Sequence, residues 1–412
     1  MSVTYLHGIE TAEISVGTSV ISEVRSAVIG LVGTAPSGPV NTPTLVRTAS
    51  EAAAFGSFSQ YGLTSGYSIP AALSMIQQYG SGAVIVINVF DPQKVKPKAD
   101  PEDEDEYYTV AETTAADIVG ETAVDGTKTG IAAFKDCFDL FGFIPKILLA
   151  PGYSDQSVVS TALLTVAAKL RAIALVDLSA GMTVAQAIAS RGSGGTFNVT
   201  SDRAFLLYPR LKIYDLQTEQ DQVCPYSSAM AGLIAQTDRD YGYWYSPSNR
   251  PLIGITGLER TVTSSYTDAE SDSNLLNEKG ITTIINGYGA GYRSYGNRLA
   301  NFPGISGIKT FITARRVGDI IADSLEQSMA QYIDVPLSAA IVEDITQVGN
   351  AFMRTLQARG AIIGGVCYPS AEDNTSDALS NGHLTMIYEY TPPAALERIT
   401  NKLVLTTAYY NA

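Results

Sequence analysis

The chain has 412 residues, of which 45% are hydrophobic and 17% charged, and its formal net charge is −14. This length predicts two or three domains, and a charge-poor apolar composition predicts that partners cover much of the surface. The acidic balance argues against nucleic-acid binding, and the apolar runs are too short to span a membrane.

Buried strands and amphipathic helices alternate in the first part of the chain. The run AVIGLVGTA at 27–35 predicts a strand, 69–79 a helix and 83–90 a second strand. The acidic, apolar-poor segment 91–130 then predicts an exposed insertion. The alternation resumes with helices at 131–140, 157–171 and 184–190 and strands at 146–150, 172–178 and 204–208. We expect an α/β core over 26–240, with a mostly parallel sheet and flanking helices.

The C-terminal part has a different pattern. Long helical periodicity runs over 311–333 and 337–359, and Gly360 is a plausible helix stop. Apolar residues 361–367 and the run HLTMIYEY from His383 follow, and both are typical of strands. We therefore expect an α+β domain over 241–398.

Both ends of the chain alternate as strands do. Alternating apolar residues lie within 1–25 and 399–412, namely Ile14, Val16, Val20, Leu403, Leu405 and Tyr409. A strand needs a sheet to join, and for a terminal extension that sheet can belong to another chain. We expect both segments to be interchain arms.

Catalytic and ligand motifs are weak. The glycine-rich segment 30–39 has no lysine of a phosphate loop, and the acidic run 100–106 lacks the glycine and glutamate of a calcium loop. The cysteines at 137, 224 and 367 have no CxxC spacing, which predicts buried inert thiols. Only two histidines, at 7 and 383, are available as bases for a nucleophile. We expect no catalytic, cofactor or metal site, with an α/β enzyme or a static tube or capsid protein as the competing classes.

The segment YWYSPSNRPLIGITGLERTV at 243–262 combines aromatic and polar side chains without a histidine. Its prolines enforce a turn-rich path, and its amide and guanidinium groups suit the pinning of loop carbonyls. We predict a rigid polar loop between a helix and a strand. Its marked residues are Trp244, Ser246, Pro247, Ser248, Asn249 and Arg250.

Several runs resemble one known family. They are WYSPSNRPLIGITG at 244–257, NLLNEKGITTI at 274–284, YGNRL at 295–299 and FITARRVGDIIADSL at 311–325. Together they resemble the tail sheath proteins of contractile bacteriophages and related injection particles, and most of all the compact sheaths of P2-type phages and R-type pyocins. The chain departs from many members at Tyr295, where tryptophan is common before GNR. The resemblance covers nearly the whole chain.

The resemblance implies a structural subunit that stacks as hexameric rings around a tail tube. It implies that the arms add strands to the C-terminal sheets of neighbouring copies, and that the sheath contracts from a metastable extended state without nucleotide. Expected partners are other copies, the tube protein, and baseplate and terminator proteins in a virion tail assembled in the host cytoplasm. The C-terminal region would face the tube, the 243–262 loop would fix its junction with the core, and segment 91–130 would lie outside. Candidate tube contacts are Arg315, Arg316, Arg354 and Arg359.

Overall fold

The computed structural model describes residues 21–56, 66–80, 82–96, 105–216, 218–287, 289 and 291–411. The predicted N-terminal arm residues Ile14, Val16 and Val20, together with His7, lie outside this part of the chain. The described chain divides into a main unit, Val24–Ala322 with Pro392–Ala412, and a C-terminal unit that contains Asp323–Thr391.

The strands have short, mostly apolar sequences. They are β1 Ile29–Gly33, β2 Thr44–Val46, β3 Val84–Asn88, β4 Ile147–Leu149, β5 Ile173–Asp177, β6 Ala204–Leu207, β7 Leu211–Asp215, β8 Gln220–Cys224, β9 Gly257–Leu258, β10 Ile281–Asn286, β11 Tyr292–Tyr295, β12 Gly364–Pro369 and β13 Met386–Thr391. The strands that were predicted from buried apolar runs, β1, β3, β4, β5 and β6, all form at the expected positions.

The helices follow the predicted periodicity in most places. They are α1 Ala49–Ala52, α2 Ser68–Gln78, α3 Ala115–Val119, α4 Cys137–Phe141, α5 Ser157–Leu170, α6 Val184–Ala189, α7 Tyr226–Asp240, α8 Asp272–Glu278, α9 Ile312–Met329, α10 Ala339–Arg359 and α11 Ser376–Ser380. Short 3-10 helices cover Ala53–Phe55, Val110–Glu112, Gly130–Asp136, Ile308–Thr310, Ala330–Tyr332 and Ala408–Asn411. Gly360 ends α10 with φ 83°, as its position predicted.

The main sheet is largely parallel. Its strand order is β11-β10-β6-β5-β4-β1-β3-β2, with antiparallel pairing only at the two outermost strands, β2 and β11. This confirms the expected mixed α/β fold with a mostly parallel sheet and flanking helices. The sheet extends beyond residue 240, where we expected the core to end, because β10 pairs in parallel with β6.

Apolar side chains cover both faces of the main sheet. In β1, Ile29 and Leu31 join a core that includes α2 and α7, whereas Val32 joins a second core that includes α5. Successive residues of one strand point to opposite faces of the sheet, so a strand that is buried on both faces needs apolar residues at every position. This requirement explains why the continuous apolar runs predicted these strands.

The segment 91–130 differs from the expected exposed insertion. Its second half contains α3, and Ile118 on that helix is completely buried in the second core. A capping box begins the helix, in which Thr114 accepts from the Asp117 amide and Asp117 accepts from the Thr114 amide. By contrast, Val124 is fully exposed. The acidic first half of the segment led us to expect exposure throughout, but the second half contains a short helix that belongs to the core.

The C-terminal unit contains a small two-layer structure. Strands β12 and β13 pair antiparallel with each other, and α10 packs on β12. A Cβ on Gly349 of α10 would lie 2.6 Å from Cys367 Sγ, so the helix and the strand approach closely at that position. The expected helix and strands over 337–391 are present.

Candidate assembly surfaces

The polar loop at 243–262 pairs with the edge of the main sheet. The Asn249 amide donates to Ser294 O at 2.7 Å, the Ser294 amide to Arg250 O at 2.9 Å, and the Leu252 amide to Tyr292 O at 2.9 Å. Asn249 has φ 57°, a left-handed conformation that asparagine tolerates better than most residues. The loop therefore supplies a short partner to β11, and an open sheet edge is a site where other chains can pair.

Side chains in the same loop strengthen this pairing. Ser248 Oγ accepts from the Gly296 amide at 3.0 Å, and Ser246 Oγ accepts from the Ser248 amide at 3.1 Å. Arg293 donates to both Asn249 Oδ1, at 2.9 Å, and Asn249 O, at 2.6 Å. The polar residues that the sequence marked are thus used in hydrogen bonds within the loop and to the segment that follows β11.

Aromatic contacts hold the other end of the loop. A Cβ on Gly242 would lie 2.5 Å from the Trp244 ring, so the indole needs glycine at that position. Tyr243 packs edge-on against Trp244, with ring centroids 5.0 Å apart. The Arg250 guanidinium lies 4.0 Å from the centroid of the Tyr241 ring, a cation–π geometry.

The loop lies wholly within the main unit. Pro247 is buried, and Pro251 forms a β-bridge with Arg293. The loop closes a sheet edge because β10 and β11 follow it in sequence and return the chain to the main sheet. Its expected role as a junction between the core and a C-terminal domain stays a prediction.

Two of the four candidate tube arginines lie in internal ion networks. Arg315 donates to Asp319 Oδ1 at 2.6 Å and to Asp202 Oδ2 at 3.0 Å. Arg203 donates to Asp319 from the other side, with an Nη2–Oδ1 distance of 2.9 Å. Asp319 is buried and shared by two guanidinium groups, which compensates its desolvation.

Arg316 is itself buried. It donates to Asp238 Oδ1 at 2.7 Å and Oδ2 at 2.5 Å, a bidentate pair, and to Ser26 O at 3.2 Å. Ser26 Oγ completes the cluster with a 2.7 Å hydrogen bond to Asp238. Such a pair is costly to break because it would leave a buried charge without a partner.

The other two candidate arginines lie on α10. Arg354 is exposed, and Arg359 pairs with Glu23 while its side chain stays about half exposed. Of the four predicted residues, Arg316 is the one with a buried side chain, since that of Arg315 is 32% exposed.

The C-terminal arm exposes apolar side chains. Leu403 is 97%, Leu405 100% and Tyr409 82% exposed, and residues 392–407 form no regular secondary structure. In the single chain, the described residues 399–411 therefore form no strand, and a 3-10 helix covers Ala408–Asn411. Contiguous exposed apolar groups mark a surface that binds another molecule.

The root of this arm is attached to the main unit. Arg298, in the YGNRL run, donates to Glu397 Oε1 at 2.8 Å and to Gly307 O at 3.2 Å. Its guanidinium also lies 3.8 Å from the centroid of the Phe311 ring. These contacts attach the arm at Glu397, although Leu396 beside it is already 78% exposed. This function of Arg298 was not recognised in the sequence.

The β12–β13 sheet has open edges. Within the described chain, each of its strands pairs only with the other. The outer edge of β12 is partly covered, because Asn350 of α10 donates to Cys367 O at 2.7 Å and accepts from the Cys367 amide at 2.9 Å. The more open edge is therefore that of β13. A sheet of two strands is marginally stable on its own and accepts further strands readily.

Buried titratable groups in the main unit have structural roles. Asp177 ends β5, at the edge of a parallel sheet where α/β enzymes bind ligands. Its carboxylate accepts from the Ser227 amide at 2.8 Å and from Ser227 Oγ at 2.5 Å, at the start of α7. Burial raises the pKa of this carboxyl. Its oxygens hold a helix N-terminus, as a favourable charge–dipole interaction.

The three cysteines are free and buried, as predicted. Burial raises the pKa of the Cys137 and Cys224 thiols to about 12, and it also raises that of Cys367, so the reactive thiolate is suppressed. His383 is exposed between α11 and β13. Among the residues that the structure describes, no three His, Cys, Asp or Glu side chains are grouped to hold a metal ion.

None of the helices in the described ranges combines the length and apolar composition that a bilayer crossing requires.

Solved structures with the same architecture are sheaths of contractile injection systems. The contracted sheath complex of an extracellular contractile injection system matches with a TM-score of 0.70 at 13% identity, covering 99% of this chain and all of that one. The contracted helical sheath of the anti-feeding prophage matches with a TM-score of 0.68 at 19% identity, covering 98% and 100%. At these identities the likeness defines the fold, which is that of contractile sheath subunits.

Sequence comparison identifies the family. The model for the phage tail sheath protein central domain matches residues 122–298, and that for the phage tail sheath C-terminal domain matches 308–406. The chain is 38% identical to the tail sheath protein of Burkholderia phage BcepMu, over 99% of this chain and 98% of that protein. It is 28% identical to the tail sheath protein of Escherichia phage P2, over 98% and 96%. The chain belongs to the phage tail sheath family and is a structural protein of contractile tails.

Proposed function

We propose that the chain polymerises as stacked hexameric rings around a tail tube and contracts from a metastable extended state, which drives the tube through the host envelope. The observation that carries this proposal is the C-terminal arm, whose apolar side chains at 403, 405 and 409 are exposed in the single chain. Exposed apolar groups that lie close together in this way mark a surface that binds another molecule. Membership of the tail sheath family supports the same function.

The arms are the proposed links between copies. The segment 399–412 adds a strand to the open β12–β13 sheet of a neighbour, and the segment 1–25 does the same from the other end of the chain. Each added strand contributes a row of main-chain hydrogen bonds to the link. Because the arms are narrow connections, the units can rotate during contraction while the links stay intact.

The energy for contraction comes from exchange of interfaces between copies. Reversal of a two-state preference from 1:99 to 99:1 takes about 5.5 kcal/mol. A modest gain for each subunit therefore becomes large when many linked copies change together. A main unit whose sheet is buried on both faces suits this task, since it moves as a rigid body.

The remaining surfaces have proposed partners. Arg354 and Arg359, which are at the surface of α10, contact acidic groups of the tube protein. Arg315 and Arg316 instead stabilise the main unit through their internal aspartates. The exposed part of segment 91–130 faces outward, and baseplate and terminator proteins bind the ends of the sheath in a virion tail that is assembled in the host cytoplasm.

Removal of the arm tests the proposal. A chain that ends at Glu397 should remain soluble and folded but form no long polymers in negative-stain electron micrographs, whereas the full chain should form tubes. Two polymer lengths, extended on a tube and contracted, would distinguish a sheath from a static tube or capsid protein. Long tubes from the truncated chain, or discrete particles from the full chain, would contradict the proposal.

A further inference from the structure

The two faces of the β12–β13 sheet differ in chemistry. Cys367 and its cross-strand partner Tyr388 lie on the face that packs against α10, near Gly349. Val366 and its partner Glu389 lie on the opposite face, and both are exposed. Glu389 is the only charged residue in either strand. The acceptor sheet thus has one apolar face and one face with a single carboxylate.

The C-terminal arm has the same division. Residues two apart in an extended chain share a face, so Leu403, Leu405 and Tyr409 lie together on one side. Arg398 and Lys402 lie together on the other side, and both are exposed. After Glu397 the arm contains these two cations and no aspartate or glutamate. One face is therefore apolar and uncharged, whereas the other carries both cations together with the exposed side chains of Val404 and Tyr410.

The charges of the two regions are opposite overall as well. Residues 323–391 contain nine aspartates and glutamates and two arginines, a net charge of −7, which is half of the −14 of the whole chain. The arm beyond Glu397 contributes +2 from its side chains. Attraction between these opposite charges favours encounter of the arm with the C-terminal unit of a second copy.

We propose that Glu389 pairs with Arg398 or Lys402 of the arm from a second copy, and that this charge pairing selects the face and the register with which the arm joins the sheet. This inference rests on the proposed function, because it assumes that the arm adds a strand to that sheet. The pairing places the apolar face of the arm on the same side of the sheet as Cys367 and Tyr388, which is the side that packs against α10. A slip of one residue would turn Leu403 and Leu405 to the wrong face and separate the charges.

Charge reversal tests the pairing in the full chain. Glu389→Lys opposes like charges, and we expect it to raise the critical concentration for polymerisation roughly three- to tenfold, measured by sedimentation, since directly opposed like charges destabilise a strand pair. A second reversal, Lys402→Glu or Arg398→Glu, should restore polymerisation in the Glu389→Lys background. The reversal that restores it identifies the register.

Two control variants separate this pairing from a general charge effect. Glu372→Lys makes the same change in net charge at an exposed position of the same unit outside the strands, and it should leave the critical concentration unchanged. Asn401→Glu adds a carboxylate to the apolar face of the arm and should not rescue Glu389→Lys. The pairing would be overturned if neither Lys402→Glu nor Arg398→Glu restored polymerisation of Glu389→Lys. It would also be overturned if Glu372→Lys raised the critical concentration as much as Glu389→Lys does. If those results occur while the chain ending at Glu397 still fails to polymerise, the proposed function stands and only the pairing fails.

Discussion

In the main sheet, both faces of β1, β3 and β5 are buried, whereas in the β12–β13 sheet Val366, Glu389 and Tyr390 are exposed. The edge of the main sheet at β11 is also closed by residues 249–252 of the same chain. The difference indicates a division of tasks. The main unit buries its own core and closes its edge at β11, while the β12–β13 sheet and the arm leave a strand edge and apolar side chains exposed.

The largest expected loss of stability in the main unit is for Arg316→Ala. It leaves Asp238 buried without its guanidinium partner, and we expect a loss of about 3–5 kcal/mol in the free energy of unfolding. Urea denaturation followed by the fluorescence of Trp244, the single tryptophan, reports on this unit. The exposed Arg354→Ala is the control and should change the value by less than about 0.5 kcal/mol. Equal stability of the two variants would contradict an internal role for Arg316.

The second effect concerns the segment that we expected to be exposed. Ile118→Ala removes a completely buried side chain from the second core and should cost about 2–4 kcal/mol of unfolding free energy in the same measurement. Val124→Ala, at a fully exposed position a few residues away, should cost less than about 0.5 kcal/mol. Similar losses of unfolding free energy for both variants would mean that α3 is not part of the core of the main unit.

A smaller effect is expected at the closed sheet edge. Asn249→Ala loses the hydrogen bond from Arg293 and forces a left-handed backbone on alanine, with a cost of about 1–2 kcal/mol. Asn249→Gly loses the same hydrogen bond but accepts φ 57° without strain. Thermal unfolding should therefore rank the parent first, glycine second and alanine last. The reverse order of the two variants would exclude a backbone requirement at this position.

The smallest effect on stability should come from the arm. The chain that ends at Glu397 loses residues 398–410, which are all exposed, together with the last two residues, so its unfolding free energy should stay within about 0.5 kcal/mol of the full chain. This measurement complements the polymerisation test of the same variant. A large loss of stability would show that the arm belongs to the fold of its own chain, and the contrast with the main unit would disappear.

Sequence patterns predicted the strands and helices that a single local pattern specifies. The strands β1 and β3 followed from continuous apolar runs, and α10 followed from helical periodicity with Gly360 as its stop. The β7–β8–β9 sheet was missed because Gln220–Cys224 is mostly polar and Gly257–Leu258 is only two residues long. The capping box Thr114–Asp117 was a signal for α3, but the acidic residues before it outweighed that signal.

The candidate surfaces were predicted less completely. Leu403, Leu405 and Tyr409 were marked by strand alternation, and their exposure agrees with a segment that needs a partner. Arg315 and Arg316 were candidates for a tube contact because a helical pattern does not reveal which face meets an aspartate. Arg316 is 78 positions from Asp238, so only the folded chain brings the two together.

By itself, the sequence determined the mostly parallel α/β fold, the two C-terminal strands with their long helix, and the motifs that identify the tail sheath family. These features depend on local periodicity and on short runs of residues. The tertiary structure decided which arginines are buried, that Ile118 belongs to the core and that the Asn249 loop closes the edge at β11. Each of these depends on contacts between residues far apart in the chain, and such contacts exist only after the sheet has assembled.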